Sequence, residues 1–176
     1  ERFGLLLDNQ PAWAVLDLAL LGARKLCVPL PGFFSPGQLR HAVADAGLDC
    51  LITDQPQRVS ELCRRGAERN ISVAGRDLAL FRLAPRSRRS LAPTLVKVTY
   101  TSGTTGHPKG VLHAHRAMLG RTPARSHWFD FQDGDRIMHS GKFNWTYVLG
   151  SGLMDPLYNG KTVIVHEGRN DARLWP

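Results

Sequence analysis

The chain has 176 residues, enough for one domain or the larger part of one. It is 43% hydrophobic and 22% charged, a globular composition that excludes a disordered polar chain. The net charge of +8 raises a nucleic-acid partner, but the cationic residues are spread along the sequence, and the one dense cluster, Arg86, Arg88 and Arg89, lies between prolines and reads as a solvated loop.

The first half alternates strand and helix patterns. Residues 3–7 (FGLLL) form an apolar run that predicts a buried strand. Residues 11–26 predict a helix, with Pro11 at its first position and Trp13, Leu16, Leu20 and Leu21 at helical spacing. A strand at 27–30 follows. Next comes a helix at 37–47, opened by Ser35 and Pro36, with Leu39, Val43 and Ala46 on one face. A strand at 49–54 and a helix at 58–68 complete the series. This order predicts an α/β fold with a mainly parallel sheet flanked by helices.

Further on, residues 78–84 read as an edge strand and 94–102 as a β-branched strand. GVLHAH continues from the glycine-rich stretch as a strand, and a helical run starts at Arg116. Strands are predicted at 135–140 and 161–167, around a helix at 144–160. The most apolar stretch, residues 12–23, contains Asp17 and falls short of the ~20 apolar residues that a membrane-spanning helix needs. Cys27, Cys50 and Cys63 are odd in number and form no CxxC, which points to a reducing, cytoplasmic setting rather than a disulfide framework or zinc site. Both ends look cut: the chain starts at Glu1 close to a strand and stops at DARLWP.

The densest chemistry lies in YTSGTTGHPKG, residues 100–110. Glycines at 103, 106 and 110 allow positive φ and close backbone approach. Successive backbone N–H groups in such a turn form a nest for an anion. Thr101, Ser102, Thr104 and Thr105 add hydroxyl donors without bulk, and Lys109 adds a movable positive charge. Together these residues make a polyphosphate cradle. It is not a Walker A loop, because Pro108 precedes the lysine, glycine follows it and a strand comes next. The alternative is a surface turn that is simply rich in turn residues.

The same string resembles the phosphate-binding signature of the adenylate-forming superfamily, which includes acyl-CoA synthetases, luciferases and peptide-synthetase adenylation domains. The likeness extends over most of the chain, from LLLDNQPAWAVLDLALLGARKLCVPL through KGVLHAHRAML to GKFNWTYVLGSGLMDPLYNGKTVIVHEG, which is similar to acyl-CoA and aryl-CoA ligases. It implies residues 1–176 of a large N-terminal domain, with the rest of that domain and a small C-terminal domain lying outside this chain. It also implies activation of a carboxylic acid by ATP with Mg²⁺, followed by transfer to CoA or to a carrier-protein thiol. Thr101, Ser102, Gly103, Thr104, Thr105, Gly106 and Lys109 would hold the phosphates, with Lys109 neutralising charge; Thr104 or Thr105 could approach the metal. Asn144, Trp145 and Tyr147 would line the acid pocket, unless Trp145 and Tyr147 are helix core. The main catalytic lysine would lie outside this chain, so the 176 residues alone are expected to be inactive. A non-catalytic nucleotide-binding module is the other reading.

Three smaller patterns carry less. His113 and His115 share a strand face, but local hydrogen bonding explains them better than a metal pair. DFQDGD (130–135) reads as a turn, since a calcium loop needs a different spacing. Arg121 and Arg125 read as a solvated helix face.

Overall fold

The protein is described by a computed structural model that covers residues 1–84, 90–101, 106–168, 171 and 173. The arginine cluster at 86, 88 and 89 lies outside the described residues. β1 (Arg2–Leu6), α1 (Pro11–Gly22), β2 (Leu26–Pro29), α2 (Pro36–Ala46) and β3 (Cys50–Thr53) follow one another as the apolar runs and proline starts predict. β2 and β3 both pair with β1 in parallel, one on each side. The chain therefore reverses its direction across the sheet after β2, and α1 and α2 fall on opposite faces. α1 buries Trp13, Leu16 and Leu20 with Leu5 and Ile52. α2 buries Leu39, Ala42, Val43 and Ala46 with Leu6 and Leu51, the alternate residues of the same strands.

α3 (Pro56–Cys63) leads to the hairpin of β4 (Arg69–Val73) and β5 (Arg76–Arg82), which adds antiparallel to β3. β6 (Leu95–Thr101) adds in parallel to β2, and β7 (Lys109–Ala114) folds back antiparallel on β6. The sheet order is β4-β5-β3-β1-β2-β6-β7, with the parallel strands at its centre and antiparallel pairs at both sides. Then come α4 (Ala117–Gly120), α5 (Thr122–Trp128) and β8 (Arg136–Met138), which pairs in parallel with β9 (Thr162–Ile164). Between those two strands runs one helical stretch: α6 (Thr146–Val148), a π-helical segment (Leu149–Met154) and α7 (Asp155–Tyr158). Its apolar residues Val148, Leu149, Leu153 and Met154 pack on the α1 side of the main sheet.

Several boundaries differ from the sequence reading. α1 stops at Gly22 because Arg24 turns left-handed at φ 53°. The helix expected to reach 68 stops at Cys63 for the same reason, with Arg64 at φ 52°. The residues beyond it form β4, where Ile71 and Val73 pack on the core between exposed Asn70 and Ser72, an alternation of only two apolar residues and too short to stand out. The strand expected at the edge, β5, is one place in, and β4 is the edge.

Two buried ion pairs tie these layers together. Lys97 of β6 donates to both carboxylate oxygens of fully buried Asp17 on α1, each at 2.6 Å. Arg121, expected on a solvated face, instead donates from Nε to fully buried Asp155 at 2.9 Å. The guanidinium lies so close to Gly150 that a Cβ there would stand 2.5 Å from it, which explains the glycine in the π-helical segment.

Candidate active site

β6 and β7 carry the glycine-rich stretch between them. Thr101, the last residue of β6, is the register partner of Lys109, the first of β7, and Thr101 Oγ1 donates to the Lys109 carbonyl at 3.4 Å. Both residues are exposed. Gly106 takes φ 81°, a conformation that side-chain-bearing residues rarely adopt. Ser102, Gly103, Thr104 and Thr105 lie outside the described residues. β6 belongs to the parallel centre of the sheet, so the stretch leaves its carboxyl end, where open α/β sheets bind ligands. Lys109 makes no ion pair among the described residues. A hydroxyl beside an unpaired ammonium, next to a positive-φ glycine, is a donor set that suits phosphate oxygens.

Both arms of this hairpin are tied to α2. Tyr100, next to Thr101, donates its hydroxyl to Asp45 at 2.7 Å and also approaches the Ala42 carbonyl at 3.3 Å. Burial, then the Asp45 bond, push its phenol well above the ordinary value. Its ring lies over Gly110, its register partner, where an added Cβ would stand 2.9 Å from Val98 and 3.4 Å from the tyrosine ring. On the other arm, His41 Nε2 meets the Pro108 carbonyl at 3.0 Å, and its ring faces His107 at 5.1 Å.

The opposite face of β6 and β7 is polar in a different way. Thr146, at the start of α6, donates to Thr99 Oγ1 at 2.9 Å, and Thr99 is bonded to His113 Nε2 at 2.9 Å. Burial, then the Lys97 charge, lower the His113 pKa, so the ring is neutral at pH 7. These side chains line a cavity of about 160 Å³ whose other walls include Val96, Ala117, Leu149 and Met154. His115 lies past the end of β7 with its N–H on the Thr94 carbonyl, so the two histidines do not act as a pair. Among the described residues there is no cluster of three or more metal-ligating side chains.

The expected acid-pocket residues divide. Asn144 is buried, and its Oδ1 has no hydrogen-bond partner among the described residues. Trp145 and Tyr147 are 55% and 62% exposed, which overturns the alternative that they are helix core. Trp145 packs against exposed Phe33 from the loop after β2, with ring centroids 5.8 Å apart. Tyr147 meets His139 edge-on at 5.6 Å. The turn at 130–135 is as expected, with Gly134 at φ 82° and the Gln132 N–H on Asp135. Nothing in the local pattern around His41 or Asp45 marks them as site residues. Lys97 and Thr99 are buried polar residues within β6, a pattern that marks partnered positions.

A family model described as AMP-binding enzyme matches residues 1–176, the whole chain. The chain belongs to that family. A 3-hydroxybenzoate–CoA/4-hydroxybenzoate–CoA ligase of Thauera aromatica is 44% identical across 98% of the chain. A 3-hydroxybenzoate–CoA ligase of Aromatoleum sp. is 28% identical across 100% of it. The chain spans 36% and 35% of the length of these relatives. A benzoate CoA ligase from Burkholderia xenovorans has the same fold, with a TM-score of 0.75 at 20% identity over 98% of this chain and 36% of the ligase. An anthranilate CoA ligase in complex with anthranoyl-AMP superposes with a TM-score of 0.71, also at 20% identity, over 96% of this chain and 35% of that one. Among the described residues, no helix is long and apolar enough to cross a membrane.

Proposed function

We propose that the protein is an AMP-forming carboxylate–CoA ligase that acts on an aromatic acid, and that this chain supplies its phosphate-holding hairpin and part of its acid pocket. The observation that carries the reading is Thr101 and Lys109 facing each other across a glycine-rich turn at the carboxyl end of β6. In the first step a carboxylate oxygen attacks the α-phosphorus of ATP. The bond from that phosphorus to the bridging oxygen breaks, giving acyl-AMP and pyrophosphate. The negative charge that gathers on the leaving pyrophosphate needs fixed donors, and Thr101, Gly106 and Lys109, with Ser102, Gly103, Thr104 and Thr105 between them, would supply these. Mg²⁺, when bound with ATP, would share that neutralisation. In the second step the CoA sulfur attacks the acyl carbon, the carbon–oxygen bond to AMP breaks, and the thiol proton is lost to solvent.

The aromatic class is supported by the hydroxybenzoate ligases among the relatives and by the residues at the carboxyl edge. Trp145, Tyr147 and Phe33 offer aromatic faces there. The 176 residues alone would not complete either step. Acid-dependent exchange of labelled pyrophosphate into ATP by the full-length protein tests the first step. Exchange with benzoate or its hydroxy derivatives supports the reading, and exchange only with short aliphatic acids overturns the aromatic assignment.

A further inference from the structure

We propose that helix α2 is the platform that sets the position of Lys109, and that His41 and Asp45 are positioning residues for ATP binding. The inference rests on the ligase reading above. The glycine-rich stretch leaves the sheet at Thr101 and returns at Lys109, and the residue preceding each of those points is held by α2. Tyr100 reaches Asp45 at 2.7 Å, and the Pro108 carbonyl reaches His41 at 3.0 Å. A carbonyl can only accept, so His41 Nε2 carries the proton and donates it. His41 and Asp45 are one turn apart and face the same way. The two tethers therefore hold the hairpin from one side, one on each side of the Thr101–Lys109 pair: Tyr100 lies one register pair below it and Pro108 one residue beyond it.

The platform is itself rigid. Ser35 and Gln38 form a reciprocal capping box at the start of α2, and Gly47 closes its end at φ 59°. Leu39, Ala42, Val43 and Ala46 anchor its inner face in the core. The β6–β7 ladder ends at the Thr101–Lys109 pair, and Thr101, Gly106, His107, Lys109 and Gly110 are exposed. Holding Pro108 and Tyr100 in place fixes Lys109 before nucleotide arrives, which lowers the ordering cost of binding. The Pro108 tether matters most for the lysine, because the held carbonyl belongs to the peptide group that bears the Lys109 nitrogen.

The test uses the full-length protein with His41→Leu and His41→Gln, since glutamine can donate from the same place and leucine cannot. Two readouts are needed. Amide hydrogen exchange over residues 106–112 reports the tether without nucleotide. It is expected to quicken in His41→Leu and to return toward wild type in His41→Gln. Calorimetric titration with MgATP reports the consequence, with affinity expected to fall about five- to tenfold in His41→Leu, the size of one lost hydrogen bond, and to recover in His41→Gln. The KM for the acid is expected to stay unchanged. Equal MgATP affinity in wild type and His41→Leu overturns the proposal, as does a loss in both variants alike, which marks a merely structural role. A wild-type protein that binds no MgATP overturns the ligase reading instead, and the exchange data then still decide whether the tether exists.

Discussion

Lys97→Met is expected to destabilise the fold far more than a surface lysine would. Asp17 is wholly buried on α1, and both its oxygens are bonded by Lys97 at 2.6 Å. The lysine ammonium also lies 6.0 Å from the centre of the Trp13 ring, and the pair joins α1 to β6 across the parallel core. Removing the lysine leaves a carboxylate in an apolar layer with no countercharge, which costs about 3–5 kcal/mol. At about 2–4 °C per kcal/mol for a domain of this size, the thermal midpoint should fall by about 6–20 °C. The double variant Asp17→Leu/Lys97→Met removes both charges and should recover most of that loss, because a buried ion pair and an apolar pair of similar volume are close in stability. The assay is thermal unfolding followed by circular dichroism, with the wild type, both single variants and the double variant closing the cycle. A loss of less than about 1 kcal/mol in Lys97→Met, or a double variant as unstable as the sum of the singles, refutes the reasoning.

Lys109→Met should leave unfolding unchanged and lower acid-dependent pyrophosphate exchange by about 10²-fold, as expected for loss of one preorganised charge at the leaving group; an unchanged rate removes Lys109 from the site. Burial lowers the pKa of both His113 and His139 below the ordinary ~6.5. Above that value both folded and unfolded chains are neutral there; as pH falls below it the unfolded chain binds protons first, so stability should decline toward the depressed folded values. Urea midpoints at pH 8 and at pH 5.5 measure the decline, and His113→Gln should make it shallower; an unchanged slope contradicts the assignment. Gly150→Ala should displace Arg121 from Asp155, since the new Cβ would stand 2.5 Å from the guanidinium, and cost about 3 kcal/mol in chemical denaturation; a neutral result means that the π-helical segment shifts to make room.

The parallel core was legible because its strands are short apolar runs and its helices open with proline: Pro11 and Pro36 stand at first helical positions, as does Pro56 of α3. β4 was not legible, because an edge strand needs only one pairing partner and tolerates Arg69, Asn70 and Ser72 facing solvent. The phosphate hairpin was legible from composition and order within one stretch. Its support was not: His41 and Asp45 lie more than fifty residues before the atoms they hold, and nothing in their local pattern distinguishes them from an ordinary polar helix face. Arg121 shows the same limit. It reads as solvated until Asp155, thirty-four residues later, is brought against it by a π-helical turn. Trp145 and Tyr147 show another limit, since aromatic residues at the start of a helix read equally as pocket wall or helix core until their exposure decides against the core.

In the proposed reaction this hairpin holds the phosphates of ATP while a carboxylic acid is adenylated and passed to CoA. The most direct measurement is AMP release by the full-length protein over a panel of aromatic and aliphatic acids, with and without CoA, alongside detection of the CoA thioester. AMP and thioester are expected in equal amounts, only when an aromatic acid, MgATP and CoA are all present. A folded protein that binds MgATP and yet releases no AMP with any acid would contradict the proposed reaction, and would leave the hairpin as a phosphate cradle without chemistry.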